Sequence, residues 1–241
     1  PKVAMEIVER YGHLMTEPER EAIRGAAQRV LRNLPQSARH YQQIFFAHPV
    51  SAQAPEASRA LSELRLELGD RYPEAPQSRY LERANVWFDA KDYNRAKDEF
   101  TNLTERLDGE EREQARARLA AASYHSGRTQ PAYDYLRGQR FQSPAAAAER
   151  LYYLGAAARR MGRRTEMIQY ANELASDFPQ SPWRLQLLRD LGNTYLLEND
   201  HANYSKYFKS CHEAFRGNED AAYCHWWYTW NTFLRQRPKA R

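Results

Sequence analysis

The sequence is poor in glycine, proline and cysteine, and it lacks any long apolar run. Its 241 residues include only 10 Gly and 12 Pro, fewer than a turn-rich all-β protein needs. No run of about 18 apolar residues occurs, which excludes a transmembrane helix. No basic stretch followed by an apolar one marks a signal peptide, although a trimmed secreted chain would look the same. These absences favour a folded, water-soluble chain built mainly of helices.

The two cysteines, Cys211 and Cys224, are too few for a disulfide scaffold and leave the redox compartment open. One bridge between them is compatible with the sequence, but we expect two separate buried thiols. Each cysteine precedes a histidine, His212 or His225, and adjacent side chains on a helix diverge by about 100°, so neither Cys-His pair can easily share one ion. We therefore predict no metal site and no cofactor.

Helix-forming residues are abundant. Ala, Leu, Arg, Glu and Gln dominate the chain. The 42% of hydrophobic residues, with 12% of aromatic residues, supply material for a sizeable core.

Small residues recur at a fixed period, which is typical of stacked helix pairs. These anchors are spaced by 36, 35 and 37 residues, at Ala84, Ala120, Gly155 and Gly192. About seven or eight residues after each anchor comes a break that indicates a tight turn between two helices. The breaks are Lys91-Asp92, Gly127, Gly162 and Asn199-Asp200. The period therefore predicts repeated helix-turn-helix units.

A second helix is expected after each break. Ala96 and Ala132 lie twelve residues after the anchors of their repeats, where two antiparallel helices must approach closely. Pro144 and Pro179 mark the end of this helix in two repeats, because proline cannot continue a helix. Apolar stripes support the pairing. They consist of Leu185, Leu188, Leu191 and Tyr195 in a first helix and Tyr204, Tyr207, Phe208, Cys211 and Phe215 in its partner.

These features resemble tetratricopeptide repeats, although the consensus tryptophan of the first helix is absent. Its place is taken by Tyr80, Arg116, Leu151 and Leu188. The resemblance implies an all-α fold, a right-handed α-α superhelix of divergent tetratricopeptide-like helix pairs. We predict a single domain over residues 1–241. Its parts are irregular helices over 1–75, about four repeats of about 36 residues over 76–216 and a terminal aromatic helix over 217–241.

The irregular N-terminal part still carries one clear helix start. Thr16 and Glu19 form the pattern of a capping box, and Pro18 suits the first turn of the helix that follows. Four helices are expected in this part, near 3–14, 17–33, 36–47 and 54–71.

A more specific resemblance covers roughly residues 40–235. Three stretches carry it, 41–51 (YQQIFFAHPVS), 149–154 (ERLYYL) and 223–230 (YCHWWYTW), together with aromatic-proline repeat ends at 71–73 and 176–183. In this order they resemble the superhelical domain of soluble lytic transglycosylases, which are bacterial periplasmic enzymes that cleave peptidoglycan glycan strands. In that family a non-catalytic superhelix precedes a lysozyme-like catalytic module.

The catalytic signature of that family is a Glu-Ser pair followed by a Gly-Leu-Met-Gln stretch, and neither occurs in this sequence. The resemblance therefore implies that this chain lacks the catalytic module, has no catalytic residue and is not itself an enzyme. It implies a periplasmic or envelope-associated role, holding glycan strands and positioning a downstream module. We expect both ends of the sequence to be boundaries within a longer protein.

Positive charge is concentrated in the middle of the chain. The whole sequence has 36 Lys plus Arg against 31 Asp plus Glu, a net charge of +5. Residues 112–164 alone carry eleven arginines and three acids. Such a stretch can attract an anionic polymer, although a solvated surface is the simpler explanation. The candidate ligand-binding residues are Arg137, Arg140, Arg159, Arg160, Arg163 and Arg164. No nucleic-acid-binding motif accompanies them, so we do not expect nucleic acid as the partner.

Aromatic residues are concentrated near the end of the chain. We expect this cluster to close the core against Tyr207, Phe208 and Phe215, while exposure would instead give a docking face for further sequence or for glycan. Its members are Trp226, Trp227, Tyr228, Trp230 and Phe233.

The alternative function is a stand-alone tetratricopeptide-type protein-interaction scaffold of the bacterial cell envelope. Its groove would use Asn85 and Asn193, which follow two of the small anchors. The expected partners are therefore peptidoglycan or a catalytic module, or else envelope proteins or peptides.

Overall fold

The computed structural model describes residues 1–236, and within them it contains thirteen α-helices and no strand. The helices are α1 (Lys2–Tyr11), α2 (Glu17–Val30), α3 (Leu34–Ala47), α4 (Ala54–Leu68), α5 (Gln77–Asp89), α6 (Tyr93–Arg106), α7 (Gly109–His125), α8 (Thr129–Arg137), α9 (Pro144–Arg160), α10 (Arg164–Asp177), α11 (Pro182–Leu197), α12 (His201–Ala214) and α13 (Ala222–Gln236). The predicted all-α fold of tetratricopeptide-like helix pairs is confirmed. No helix in this part of the chain is long and apolar enough to cross a bilayer.

The helices belong to two compact units. One covers Pro1–Ala122 and the other begins at Ser123, so the boundary lies inside α7. The four predicted repeats over 76–216 correspond in chain order to α5 through α12. The prediction of a single domain over 1–241 stays a prediction.

In the first unit, α3 packs against α2, α4 and α5. Tyr41, Ile44 and Leu64 form the centre of the core between α3 and α4, and Phe100 of α6 lies in a second cluster with residues of α5 and α7. The four helices expected over 1–75 are present to within a few residues, if the 3₁₀ turns Gly12–Leu14 and Gly69–Arg71 are included. The predicted capping box is confirmed: the Thr16 backbone N–H donates to Glu19 Oε2 at 2.7 Å.

In the second unit, α9 packs on α10 and α11, and α12 packs on α11 and α13. The two predicted apolar stripes of α11 and α12–Phe215 are buried in full. Tyr195 and Tyr207, one from each stripe, stack with their planes 8° apart. Burying both stripes against each other removes these apolar side chains from water and so stabilises the helix pair.

The predicted breaks are tight turns with one shared geometry. Lys91, Gly127, Gly162 and Asn199 all adopt positive φ, between 56° and 83°. After each of them, the next backbone N–H donates to the carbonyl five residues back, for example from Arg163 to Ala158 at 2.8 Å. This is the Schellman arrangement that ends a helix. Its recurrence fixes the same reversal in each of these repeats.

The small anchors lie where helices touch. Ala84 and Ala120 are almost completely buried. A Cβ added to Gly155 would lie 2.8 Å from Leu187, and one added to Gly192 would lie 2.6 Å from the ring of Phe208. Such distances leave no room for a methyl group, so the anchors are small because of packing.

The prediction that Pro144 marks the end of a helix is wrong. Pro144 does not mark the end of a second helix, since α8 already ends at Arg137 and Pro144 is the first residue of α9. Proline suits this position because the first helical N–H has no partner inside the helix. Pro179 does lie between α10 and α11, as expected.

The expectation of two separate thiols is wrong, because Cys211 and Cys224 form a disulfide. Both residues are buried, and their Cα atoms lie 5.9 Å apart. The 3₁₀ turn Glu219–Ala221 returns the chain so that α13 packs against α12, which brings the two positions face to face. The terminal aromatic helix, predicted over 217–241, begins at Ala222 and is described to Gln236, and residues 237–241 lie outside the described residues.

Replacing Gly192 by alanine tests the close packing of α11 on α12. The new methyl group must displace the Phe208 ring, so we expect Gly192→Ala to lower the free energy of unfolding by about 1–3 kcal/mol. Gly138→Ala is the matched control, because its Cβ would meet the Tyr135 and Asp134 carbonyls at ordinary contact distances of 3.5 Å and 3.9 Å. We expect this control to stay within about 0.5 kcal/mol of the natural sequence. Urea unfolding measures both, and equal stability of the two variants would contradict the packing described.

Candidate functional site

Two of the six candidate arginines reach back to preceding helices of the second unit. Arg160 Nη1 donates to the Tyr124 carbonyl at 2.8 Å, and its guanidinium lies 3.7 Å from the centroid of that ring. Arg163 Nη2 donates to Gln130 Oε1 at 3.2 Å, and its guanidinium lies 5.1 Å from the centroid of the Tyr133 ring. Each arginine therefore contacts residues about one repeat earlier.

Two further arginines reach forward to α11. Arg159 Nη1 lies 3.7 Å from Asp190 Oδ1, and Arg164 forms an ion pair with Glu198 and lies 5.1 Å from the Tyr195 ring centroid. Burial raises the pKa of the Asp190 carboxyl, while the Arg159 charge opposes this rise. These contacts again join residues about one repeat apart.

The remaining two candidates, Arg137 at the end of α8 and Arg140 in the loop after it, are exposed. The Arg137 guanidinium lies 5.7 Å from the centroid of the Tyr133 ring. The structure thus brings Arg137 and Arg163 to the same ring, while it directs Arg159 and Arg164 toward α11. A binding role for the six arginines stays a prediction.

A groove in the first unit was not predicted from the sequence. Its floor is α3 and its walls are α4 and α5, and we name it the α4–α5 groove. The floor contributes Gln42, Phe45 and Phe46, the α4 wall contributes Ala54, Ser58, Leu61, Ser62 and Arg65, and the α5 wall contributes Tyr80, Arg83 and Trp87.

Helical periodicity explains why these side chains line one groove. The five α4 residues follow one another at intervals of three, four or one, so they share a single face of the helix. From Ala54 to Arg65 this face extends about 16 Å. Most of its side chains are small, whereas the floor and the α5 wall are largely aromatic. Small residues on one wall therefore leave open space above aromatic rings.

The groove contains two depressions that share Phe45 and Ser58. The larger has a volume of about 430 Å³ and is also lined by Pro49, Val50 and Pro55. The smaller has a volume of about 190 Å³. The larger one falls within the range of about 300–1,000 Å³ that is usual for binding pockets.

A polar network fixes the α5 wall of the larger depression. Arg83 Nη2 lies 2.7 Å from Glu99 Oε1, and its Nε donates to the other oxygen at 3.0 Å. Trp87 Nε1 donates to Glu99 as well, at 3.1 Å. The Arg83 guanidinium in turn lies 3.9 Å from the centroid of the Phe45 ring. These half-buried groups satisfy one another and hold the indole of Trp87 at the edge of the depression.

An arginine lies at each end of the groove. At the larger depression, Arg95 of α6 lies 4.7 Å from the Trp87 ring centroid, and its side chain is 65% exposed. At the smaller one, Arg65 lies 4.8 Å from the Tyr72 ring centroid and pairs with Glu74. The charged lining residues are thus three arginines and one glutamate.

The two asparagines proposed for a binding groove have different surroundings. Asn193 Oδ1 accepts a hydrogen bond from the Tyr223 hydroxyl at 2.8 Å, so it links α11 to α13. Asn85 Oδ1 is buried and has no hydrogen-bond partner among residues 1–236, and Asn85 does not line the α4–α5 groove. A binding role for these two asparagines stays a prediction.

The terminal aromatic cluster is divided between core and surface. Trp227 stacks on Phe208 with the two planes 9° apart, as expected of a closing core. In contrast, Trp226, Trp230 and Phe233 are 41–56% exposed. The expectation that the whole cluster closes the core therefore holds for only part of it.

A histidine pair lies next to the disulfide. His212 Nδ1 and His225 Nδ1 are 2.8 Å apart, and the Tyr228 ring stacks on His212. Because each histidine follows one cysteine of the bridge, the disulfide between α12 and α13 brings them together. Burial lowers the pKa of His212, and the positive charges of His225 and Arg216 add to this.

Comparison with known proteins supports the fold. No protein-family model matches the chain, and no curated protein matches it. Among solved structures, the chain is similar to the crystal structure of Rap protein complexed with Competence and Sporulation Factor. The two are 14% identical, with a TM-score of 0.53, over 97% of this chain and 70% of that one. Rap has tetratricopeptide-like helical repeats, so the likeness shows the fold. These findings do not support the closer resemblance to lytic transglycosylases.

The groove was missed because its parts come from separate helices. The one local signal is the α4 face, where the small polar residues Ser58 and Ser62 occupy positions that an amphipathic helix would fill with apolar ones if a neighbour packed there. Periodicity within α4 could have revealed an uncovered face. It could not reveal the aromatic residues opposite.

The lowered pKa of His212 predicts loss of stability in mild acid. The unfolded chain takes up a proton at His212 more readily than the folded one, so this contribution is complete above about pH 6.5 and declines as the pH falls below it. Burial also lowers the pKa of His125, which acts in the same direction. We expect the Tm to fall between about pH 7 and pH 5.5. His212→Gln should flatten this dependence, whereas the exposed His13→Gln should not. An unchanged slope in His212→Gln would contradict this account.

Proposed function

We propose that this chain is a protein-interaction scaffold that binds a segment of another protein in the α4–α5 groove. The observation that carries the proposal is the groove itself, an open channel with an aromatic floor between two helices that both pack on α3. Apolar rings such as Phe45 and Trp87 gain from being covered, since burial removes their surface from water. The expectation that the chain has no activity of its own belongs to this proposal.

Two further observations support a protein segment as the ligand. The groove is a long channel of about 16 Å, which suits a chain better than a compact small molecule. In addition, the tetratricopeptide-like fold is shared with Rap, whose structure was determined as a complex with Competence and Sporulation Factor. Repeat proteins of this architecture commonly use extended surfaces for binding.

Panning a random library of displayed 12-residue peptides on the natural protein tests the proposal. Ser58→Trp should eliminate most of the enriched binders, because an indole at the position shared by both depressions fills the channel. Leu66→Trp is the matched control: this residue of α4 is 88% exposed and does not line the groove. We expect Ser58→Trp to weaken selected peptides by about thirtyfold or more. Peptides that bind Ser58→Trp as well as Leu66→Trp would argue against the groove.

A second candidate is the non-catalytic superhelix of a lytic transglycosylase-like protein, which holds peptidoglycan in the periplasm. The disulfide between Cys211 and Cys224 favours it, since disulfides persist in oxidising compartments such as the periplasm. Four of the six arginines predicted to contact glycan join neighbouring repeats. The other two, Arg137 and Arg140, are exposed and make no such contact among the described residues. They are therefore the proper test of this candidate.

Sedimentation with purified sacculi tests the glycan candidate. We expect the double variant Arg137→Glu and Arg140→Glu to remain in the supernatant if these side chains attract the anionic polymer. The control is Arg39→Glu with Arg59→Glu, which changes the charge equally at two exposed positions of the first unit. Equal sedimentation of both double variants would eliminate the arginines as glycan contacts.

A further inference from the structure

We propose that the occupant of the α4–α5 groove is an acidic amphipathic helix of a partner protein. This inference rests on the proposed function and adds the conformation and charge of the ligand. Three properties of the groove support it: polar groups that already hydrogen-bond within the protein, the dimensions of the groove, and its charge.

Polar groups of the floor and the α5 wall are already used within the protein, while Ser51 Oγ in the larger depression is buried with no hydrogen-bond partner among the described residues. Gln42 Nε2 donates to the Pro73 carbonyl at 2.6 Å, and Trp87 Nε1 and Arg83 both bind Glu99. An extended segment lying on this floor would bury backbone N–H and C=O groups with few partners, at a cost of about 1–3 kcal/mol for each unpaired group. A helix satisfies its backbone internally and presents only side chains. The floor therefore selects a helical ligand over an extended one.

The dimensions of the groove fit one short helix. Its length of about 16 Å along α4 corresponds to about three helical turns. The two depressions follow each other along this axis, so apolar side chains about one or two turns apart on the same face of a ligand can enter both. Ala54, Ser58 and Ser62 project little from the α4 wall, which lets a ligand backbone approach closely.

The charges of the groove favour an acidic ligand. Arg83 is neutralised by its two contacts with Glu99, and Arg65 pairs with Glu74. Arg95 is different, because its only described acidic partner, Asp92, is 3.4 Å away and the Arg95 side chain remains 65% exposed. A carboxylate on the ligand can therefore meet Arg95 beside the larger depression. Arg95 is therefore the lining arginine whose charge a ligand carboxylate can best approach, which makes this end of the groove complementary to an acidic ligand.

Three synthetic peptides, each of 14 residues with a fluorescent label, separate conformation from charge. The first is an Ala/Glu helix with Leu at i, i+4 and i+7, the second replaces every Glu by Lys, and the third retains the Glu and Leu residues but carries two central prolines. Anisotropy titrations measure their affinities for the natural protein. We expect the acidic helix to bind about tenfold more tightly than either of the others. Equal binding of the three, or no binding of the acidic helix, would overturn the inference.

Variants of the protein locate the site and the charge contact. Ser58→Trp should abolish binding of the acidic helix while Leu66→Trp retains it. Arg95→Glu should weaken the acidic helix and strengthen the lysine peptide, each by about three- to tenfold. Binding that is insensitive to both Ser58→Trp and Arg95→Glu would overturn the inference. If panned peptides still require Ser58 but prove to be extended or basic, the inference fails while the proposed function stands. Circular dichroism confirms that each variant is folded.

Discussion

Close approach between neighbouring helices is the constraint on which this structure depends. At Gly155 of α9 and Gly192 of α11 a packed helix comes so near that an added Cβ would collide with Leu187 of α11 or Phe208 of α12. Larger residues at these positions would force the helices apart and uncover the apolar stripes that they bury. The positive-φ turn that follows each anchor fixes where the chain reverses. The small anchor residue, the turn that follows it and the buried apolar stripes therefore act together in these repeats.

The α4–α5 groove occurs where the helices are not packed so closely. In the second unit, Leu187 of α11 fills the space over Gly155, and Phe208 of α12 fills the space over Gly192. In the first unit, Ser58 and Ser62 of α4 fill no such space, and Phe45 and Trp87 remain partly uncovered. The same helices that stabilise the fold thus leave this channel uncovered by the residues that the structure describes.

The sequence predicted those features that depend on neighbours along the chain. The anchors, the turns, the Thr16–Glu19 capping box and the α11–α12 stripes all follow from local chemistry, and the structure has them. Features that depend on which helices meet were missed or misjudged. The disulfide required knowing that α13 folds back on α12, and the contacts of Arg159 and Arg164 required knowing that α11 lies beside them. The groove required three helices at once, so no single stretch could reveal it.

Hydrogen–deuterium exchange with a panned peptide tests the central claim, that this groove is the binding surface, most directly. Bound peptide should slow amide exchange at the ends and exposed turns of α3, α4 and α5, because covering the groove suppresses their local opening. The account predicts that protection is concentrated in residues 42–65 and 72–87, with no change over 137–164. Protection centred on 137–164, around the candidate arginines, with residues 42–87 unchanged, would contradict it.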